Sequence, residues 1–209
     1  MFEKIVEHFK QRPYFWSAVV AMIFITVLTP LTRRVPAPPP VISTVPAFTL
    51  TGPNGSPFGS TELKNKVYVA SFIFTRCQSV CPLIVQHLGE LQQRILFSRL
   101  PLTLVSLTVD PEHDTPSVLK SFAEKVGADP ATWTFLTGSR DDLVAVVEQG
   151  FTVGVGAPTL TNGLMDIAHS QKLILVDGQS RIRGFYNASS EGVDEIFSRA
   201  EAVVGESML

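Results

Sequence analysis

Residues 67–82 read VYVASFIFTRCQSVCP, and this stretch decides the fold class. Its first eight residues form a nearly continuous β-prone apolar run, which is typical of a strand covered on both faces. A turn carrying Cys77 and Cys81 follows, and Pro82 comes directly after it. Beyond the turn, apolar residues recur at helical spacing: Ile84, Leu88, Leu91 and Ile95. The stretch predicts a buried strand that turns into a helix, with two cysteines at the turn.

Strands and helices alternate along the rest of the chain. Helices are predicted after the cysteines, after the caps Thr115 and Ser139, and at the end of the domain. The helix after Thr115 is expected to bury a stripe of Val118, Phe122 and Val126. The predicted strands are residues 67–74, 102–109, 133–136, 172–176 and 181–186, with a short strand and turn in residues 48–58. This order describes an α/β sandwich around a central sheet, whose strand carboxyl ends are where ligands are expected.

The two cysteines are placed for chemistry. If the segment between them is helical, the Cα atoms of Cys77 and Cys81 lie about 6 Å apart, within reach of a disulfide. A helix N-terminus lowers the pKa of a thiol, and Arg76 adds positive charge. We therefore expect both thiols to be accessible and readily ionised. The alternative is an inert structural disulfide or a pair of small buried residues.

The N-terminal region has the composition of a membrane anchor. Residues 14–31 carry no charge, and about 18 apolar residues span about 27 Å as a helix, close to the thickness of a bilayer core. The alternatives are a cleaved signal peptide and a buried core helix. We predict a short cytoplasmic N-terminus in residues 1–13, a transmembrane anchor in residues 14–31, a proline-rich linker in residues 32–46 and one domain in residues 47–207.

Flanking charges suggest an orientation for that anchor. Three basic residues precede the apolar run and two follow it, a slight bias that favours a cytoplasmic N-terminus. Glu3 and Glu7 argue against a mitochondrial presequence, which is usually poor in acidic residues. The sequence thus predicts a single-pass protein of the bacterial inner membrane with its domain in the periplasm. The prolines of the linker favour polyproline II, which would hold the domain about 30–40 Å from the bilayer.

Charge and cysteine counts exclude several functions. The chain has 209 residues, 17 basic and 19 acidic, and the part after residue 45 has 12 basic and 17 acidic residues, a net charge of −5. An acidic domain without a basic cluster is a poor ligand for nucleic acid, so we expect no nucleic-acid partner. Only two cysteines are present, which excludes a disulfide-dense scaffold and a four-cysteine zinc site.

The four histidines differ in their surroundings. His8 precedes the predicted anchor, and topology excludes it from a site in the domain. His113 lies in the loop DPEHDTP, where a solvated side chain is expected, and His87 follows the cysteines with a packing or surface role expected. His169 lies in GLMDIAHS, just before a predicted strand. On its own it reads as an ordinary loop histidine.

Four segments together carry a resemblance. SFIFTRCQSVCP, SLTVDPEHDTP, WTFLTG and DIAHSQKLILVDGQSRIRGFY occur in this order. They resemble the Sco/SenC family of membrane-anchored copper proteins with a thioredoxin-like fold, over residues from about Phe48 to Val204. Asn65 stands where that family usually has glycine, a departure that touches no ligand.

The resemblance implies a site and a role. In the family, the two motif cysteines and the late histidine bind one copper ion, Cu(I) or Cu(II), which corresponds to Cys77, Cys81 and His169. The family matures the binuclear copper site of cytochrome c oxidase subunit II, as copper donor, as thiol reductant of that site, or both. Other periplasmic copper chaperones or thiol reductants are possible further partners. Independently of the family, two thiolates and one imidazole suit copper better than zinc, for which no fourth ligand is evident.

Three aspartates lie near the predicted site in sequence. Asp166 precedes His169 by three residues and is expected either to orient the imidazole or to act as a cap. Asp110 and Asp114 follow the second buried strand. They are expected to form a second shell or a rim that meets the partner, in addition to a turn and helix cap.

Two enzyme classes compete with copper delivery. In the first, Cys77 and Cys81 are the redox dithiol of a thiol–disulfide oxidoreductase, and copper is incidental. In the second, the domain is a peroxide-reducing enzyme, which needs a threonine and an arginine beside the nucleophile. Thr75 and Arg76 resemble such a pocket only faintly, which disfavours this class.

Overall fold

The computed structural model describes residues 13–32, 37–77, 81–151, 158–161, 164–167 and 171–207. The chain divides into two units, Met1–Val35 and Pro36–Leu209. The first contains helix α1 (Pro13–Thr32), which exposes large apolar side chains such as Tyr14 (87%) and Met22 (64%). Within the described ranges, no helix combines the length and the apolar character needed to cross a membrane.

The second unit is built on a six-stranded sheet in the order β1-β10-β9-β4-β5-β6. Strands β4, β5 and β6 are mutually parallel, and the remaining neighbours in the sheet are antiparallel. Its strands are β1 (Ser43–Thr44), β4 (Val67–Ile73), β5 (Leu102–Thr108), β6 (Trp133–Leu136), β9 (Lys172–Val176) and β10 (Arg181–Asn187). Two hairpins stand apart from it: β2 (Thr49–Thr51) with β3 (Pro57–Gly59), and β7 (Pro158–Thr161) with β8 (Leu164–Ile167).

Helices complete the layers of this domain. They are α2 (Cys81–Ser98), α3 (Pro116–Lys125), α4 (Arg140–Val144), which continues as a π-helical turn (Ala145–Gly150), and α5 (Ser190–Ser207). All seven residues of β4 are buried, because helices cover this sheet on both faces and leave no polar side. The five predicted core strands are confirmed with their ends correct to within one residue.

Helix α3 begins as predicted. The Thr115 hydroxyl accepts a hydrogen bond from the Val118 amide, and Pro116 occupies the first turn. The inward position of Phe122 and Val126 is confirmed, since both are half-buried and pack against the core, but Leu119, which was not predicted, is the fully buried residue of the helix. The Phe122 ring contacts Phe135 on β6 edge-to-face, at a centroid distance of 5.8 Å.

The predicted linker is partly absorbed into the domain. Strand β1 pairs with β10, the Val45 amide donates to the Ser180 carbonyl over 2.8 Å, and Arg183 Nε donates to the Pro39 carbonyl over 2.7 Å. The exposed edge of β10 offers backbone groups that an extended segment can satisfy. Residues from Pro39 to Val45 of the predicted linker are therefore bonded to the domain.

A left-handed residue precedes the central strand. Asn65 has a φ of 62°, and its amide donates to the Gly178 carbonyl over 3.0 Å. Glycine adopts this conformation without strain, and asparagine is among the side chains that tolerate it best. The backbone geometry explains why asparagine can replace the usual glycine here.

Two glycines of α5 differ sharply in their surroundings. A Cβ atom on Gly192 would lie 1.9 Å from the Asn187 carbonyl oxygen, while one on Gly205 would meet no atom within 4 Å. The Gly192 amide also donates to the Ser189 hydroxyl at the start of the helix. The first turn of α5 therefore packs against the end of β10 as closely as glycine allows.

We predict opposite effects of alanine at these two positions. Gly192→Ala should lower the free energy of unfolding by about 3 kcal/mol, because backbone must move to admit the methyl group. Gly205→Ala, the matched control, should raise it by about 0.5–1 kcal/mol through helix propensity. Urea unfolding followed by circular dichroism measures both. Equal effects of the two substitutions would contradict the close approach at Gly192.

Candidate metal centre

The two cysteines lie where the central strand turns into a helix. Cys77 follows the end of β4 by four residues, and Cys81 is the first residue of α2. The Cys77 amide donates to the Phe74 carbonyl over 3.2 Å, and the Cys81 amide donates to the Cys77 sulfur over 3.3 Å. This contact brings the Cys77 sulfur to the N-terminus of α2. Both residues are in the thiol form.

Burial dominates the chemistry of this pair. Cys77 is 7% exposed and Cys81 is 3% exposed. Burial raises the pKa of the Cys81 thiol well above its ordinary value, the neighbouring Cys77 and Asp114 act in the same direction, and a backbone hydrogen bond at Phe74 opposes them. The prediction of accessible thiols is therefore wrong. The prediction of ready ionisation is wrong at Cys81, because desolvation outweighs the helix N-terminus there, and it stays a prediction at Cys77.

A buried carboxylate organises the segment before the cysteines. Asp114 is fully buried and accepts three hydrogen bonds. Thr75 donates its amide over 3.1 Å and its hydroxyl over 2.5 Å, and the Thr108 hydroxyl donates over 2.5 Å. A buried charge is tolerated when it is hydrogen-bonded in this way. Asp114 thus ties the end of β4 to the end of β5, two residues before Cys77.

An ion pair holds the next residue of the same segment. Arg76 donates from Nε over 3.0 Å and from its terminal nitrogen over 2.6 Å to one carboxylate oxygen of Asp110. The Asp110 side chain is 7% exposed, while that of Arg76 is 39% exposed. Both Asp110 and Asp114 are buried, so neither forms an exposed rim, and their second-shell role stays a prediction.

Thr75 and Thr108 were not identified from the sequence as part of this network. The sequence pattern that could have identified them is weak, because each is a single hydroxyl residue at the end of an apolar run. Thr75 and Arg76 are engaged by Asp114 and Asp110 respectively. Their polar groups therefore face these carboxylates, which further disfavours the peroxide pocket.

Of the two described histidines, His87 has the packing role that was expected, whereas His113 is less exposed than predicted. His87 is buried, and its Nδ1 lies 3.2 Å from a carboxylate oxygen of Glu90, while His113 is half-buried. Asp166 lies on β8, where it pairs with Thr159. His169 lies outside the described residues, so its place in the site stays a prediction. In the described part of the chain, no group of three or more metal-binding side chains converges.

The donor chemistry of the described residues fits a thiophilic metal. The two cysteines lie next to each other at the start of α2, and both are buried. Soft thiolate ligands select Cu(I) over hard cations such as Mg²⁺. A third ligand is still required to complete a trigonal set, and it must come from outside the Cys77–Cys81 turn.

The chain is similar in sequence and in structure to known proteins over about three quarters of its length. The SCO1 protein homolog of Bacillus subtilis is 30% identical over 156 residues, which cover 74% of this chain and 79% of that protein. A crystal structure of a SCO1/SenC family lipoprotein from Bacillus anthracis matches with a TM-score of 0.70 and 30% identity, covering 77% of this chain and 95% of that one.

Two further solved structures are described with a disulfide switch and with bound copper, respectively. BsSco, described with a disulfide switch and as a member of the Sco family of cytochrome c oxidase assembly proteins, matches with a TM-score of 0.70 and 28% identity over 79% of this chain and 95% of its own. Yeast Sco1 with copper bound matches with a TM-score of 0.63 and 25% identity over 77% of this chain and 90% of its own. The mixed α/β, thioredoxin-like fold is confirmed by these neighbours.

The family model agrees with these individual matches. It is described as SCO1/SenC and matches residues 37–205. That range contains the cysteine pair, the Asp110 and Asp114 contacts and the residues around His169. The chain belongs to the SCO1/SenC family.

Proposed function

We propose that this protein is a copper-binding metallochaperone of cytochrome c oxidase assembly. The observation that carries the proposal is the contact between the Cys81 amide and the Cys77 sulfur at a buried strand-to-helix turn. It supports two thiolate ligands for one copper ion. The copper in yeast Sco1 and the oxidase assembly role in the description of BsSco support the same assignment.

His169 is proposed as the third ligand. An imidazole completes a three-coordinate set that suits Cu(I) and tolerates Cu(II). With two thiolates the site carries a net charge of −1 around Cu(I) and zero around Cu(II). Asp166 is proposed to orient the imidazole. A low-coordinate site of this kind can pass its ion to another thiolate or imidazole site by ligand exchange.

Asp110 and Asp114 are proposed to act on the site through the segment that leads to Cys77. Asp114 holds Thr75, and Asp110 holds Arg76. Neither carboxylate is proposed as a ligand. Their role is to fix the backbone from which the first sulfur projects.

The proposed recipient is the binuclear copper site of cytochrome c oxidase subunit II. We propose attachment to the bacterial inner membrane through residues 14–31, with the domain in the periplasm. The exposed apolar side chains of α1 between Tyr14 and Ile25 support this attachment. A membrane partner would then diffuse in the same plane as the chaperone.

The alternative function is thiol–disulfide exchange on periplasmic proteins, including reduction of the cysteines of that recipient site. The disulfide switch of BsSco favours retaining it as a second candidate. The raised pKa of the Cys81 thiol makes this residue a poor attacking nucleophile, because exchange requires a thiolate, and it leaves Cys77 as the candidate nucleophile of this alternative.

Copper titration tests the ligand set. Wild-type protein should bind about one copper ion per chain, and the Cu(II) form should show an intense sulfur-to-copper absorption band. Cys77→Ser, Cys81→Ser and His169→Ala should each lose most of this uptake, and oxidation to the Cys77–Cys81 disulfide should abolish it. His113→Ala is the matched histidine control and should bind normally. Unchanged uptake in the three ligand variants would refute the assignment.

His169→Ala separates the two candidate functions. The substitution should weaken copper binding by more than about 100-fold, since it removes a ligand. The equilibrium constant for forming the Cys77–Cys81 disulfide in glutathione buffer should change by less than about tenfold, because exchange uses the sulfurs alone. If oxidase assembly in cells survives His169→Ala but not Cys77→Ser, thiol exchange is the better description.

Copper loading should release protons at neutral pH. Burial keeps the Cys81 thiol protonated, and a metal can bind only after the proton leaves. Copper affinity should therefore fall as the pH falls. Calorimetry in two buffers of different ionisation enthalpy should give about two protons per copper, one from each thiol. Release of no proton would mean that both thiols are already ionised before copper binds.

A further inference from the structure

The end of the sheet at which β4 and β5 begin lies opposite the cysteines and carries exposed apolar and basic side chains. Phe97 is 94% exposed and Leu96 is 43% exposed at the end of α2. Lys64, Lys66 and Arg99 are also exposed. We name these five residues the basic edge.

Strand register places the residues that directly precede β4 and β5 at one end of the sheet. Val67 pairs with Leu102 at the start of β4 and β5, and Ile73 pairs with Thr108 at their ends. Lys66 and Arg99 precede the two strand starts, whereas Cys77 follows the end of β4. Seven residues of strand therefore separate the basic edge from the cysteine turn, which corresponds to about 20 Å.

The cations of the basic edge are not neutralised locally. Among the described residues, Lys64, Lys66 and Arg99 take part in none of the ion pairs. Two acidic groups at this end of the sheet are paired with other cations: Asp177 accepts from Arg181 and Arg183, and Glu206 accepts from Arg183. Glu62 is exposed and accepts from the Gly59 amide, so its charge offsets part of the positive charge. The basic edge therefore presents positive charge beside an exposed aromatic ring, although the domain as a whole is acidic.

The chain from the N-terminus arrives at the same end of the sheet. Val45 is bonded to Ser180 just before β10 begins, and Pro39 is bonded to Arg183, whose guanidinium also contacts Asp177 and Glu206. Six residues, 33–38, separate the end of α1 from Pro39. Fully extended, this connection spans at most about 25 Å.

We propose that the basic edge rests on the surface of an anionic phospholipid bilayer, with Phe97 inserted at the headgroup level. The inference rests on the proposed membrane attachment and extends it. Phosphate headgroups complement Lys64, Lys66 and Arg99, and an aromatic ring is favoured at this depth. The cysteine turn is then held about 20 Å further from the membrane, facing away from it.

Tryptophan fluorescence of the full chain in vesicles tests the proposal. The vesicles contain phosphatidylcholine and phosphatidylglycerol, with brominated acyl chains as the quencher. Trp16→Phe removes the reporter in α1, and the emission of the buried Trp133 is subtracted using this parent protein. In this background Phe97→Trp should show blue-shifted, quenched emission. Leu83→Trp, on the exposed first turn of α2 beside the cysteines, is the matched control and should remain unquenched.

The second test asks whether association with the bilayer depends on the three cations. Replacing Lys64, Lys66 and Arg99 together by glutamine should weaken the association of the edge with the bilayer by about 100-fold, because each cation near an anionic surface contributes roughly fivefold. Quenching of Phe97→Trp should accordingly disappear in this variant and in vesicles of phosphatidylcholine alone. Copper uptake, which uses the cysteines at the opposite end of the sheet, should be unchanged.

Three outcomes would overturn the proposal. One is an unquenched Phe97→Trp signal in chains that float with the vesicles. Another is failure of the chain to float at all, which would also refute the membrane attachment while leaving the copper titration intact. The last is self-association in detergent that Phe97→Asp abolishes, which would assign the edge to a second copy of this chain.

Discussion

The carboxylate of Asp114 is the constraint on which the cysteine site depends. It lies in the dry junction between the ends of β4 and β5, where an ionised group without partners would cost several kcal/mol. Three donors from Thr75 and Thr108 compensate it. Because two of these donors belong to Thr75, the backbone two residues before Cys77 has little freedom. The sulfur of Cys77 is positioned by this network and by the Cys81 amide, and the network in turn requires the parallel register of the two strands.

Burial gives this site a chemistry different from that of an exposed dithiol. A helix N-terminus and a nearby arginine normally stabilise a thiolate, but Arg76 is engaged by Asp110, and the Asp114 charge acts against ionisation of Cys81. The Cys81 thiol therefore keeps its proton until a metal ion or an exchange partner displaces it. The raised pKa opposes thiol exchange and metal binding alike at neutral pH, because each needs the thiolate. A thiophilic cation can still displace the proton, since the metal–thiolate bond compensates the cost of ionisation.

Local patterns were enough to predict most of the fold, and contacts between distant segments account for the errors. Continuous apolar runs identified β4 and β5, and Thr115 with Pro116 marked the start of α3, because these signals depend on adjacent residues. Strand β1 was missed because its proline-rich surroundings suggest a linker, and only the free edge of β10 makes it a strand. The ionisation of Cys81 was mispredicted for a similar reason: the helix N-terminus is visible in the sequence, whereas the depth of burial and the Asp114 charge are set by tertiary packing. Thr75 and Thr108 carried no motif of their own.

The bonds between residues 39–45 and the domain bear on how copper would be delivered under the proposed function. A flexible spacer would let the domain rotate freely, and a partner site would meet the cysteines in any orientation. Bonds from Pro39 and Val45 hold the start of this unit against β10 and Arg183. Under the membrane attachment proposed above, a shorter free connection raises the effective concentration of a partner in the same membrane. The cysteines follow the end of β4, whereas Val45 is bonded beside the start of β10, so the docked segment and the proposed ligands occupy opposite ends of the sheet.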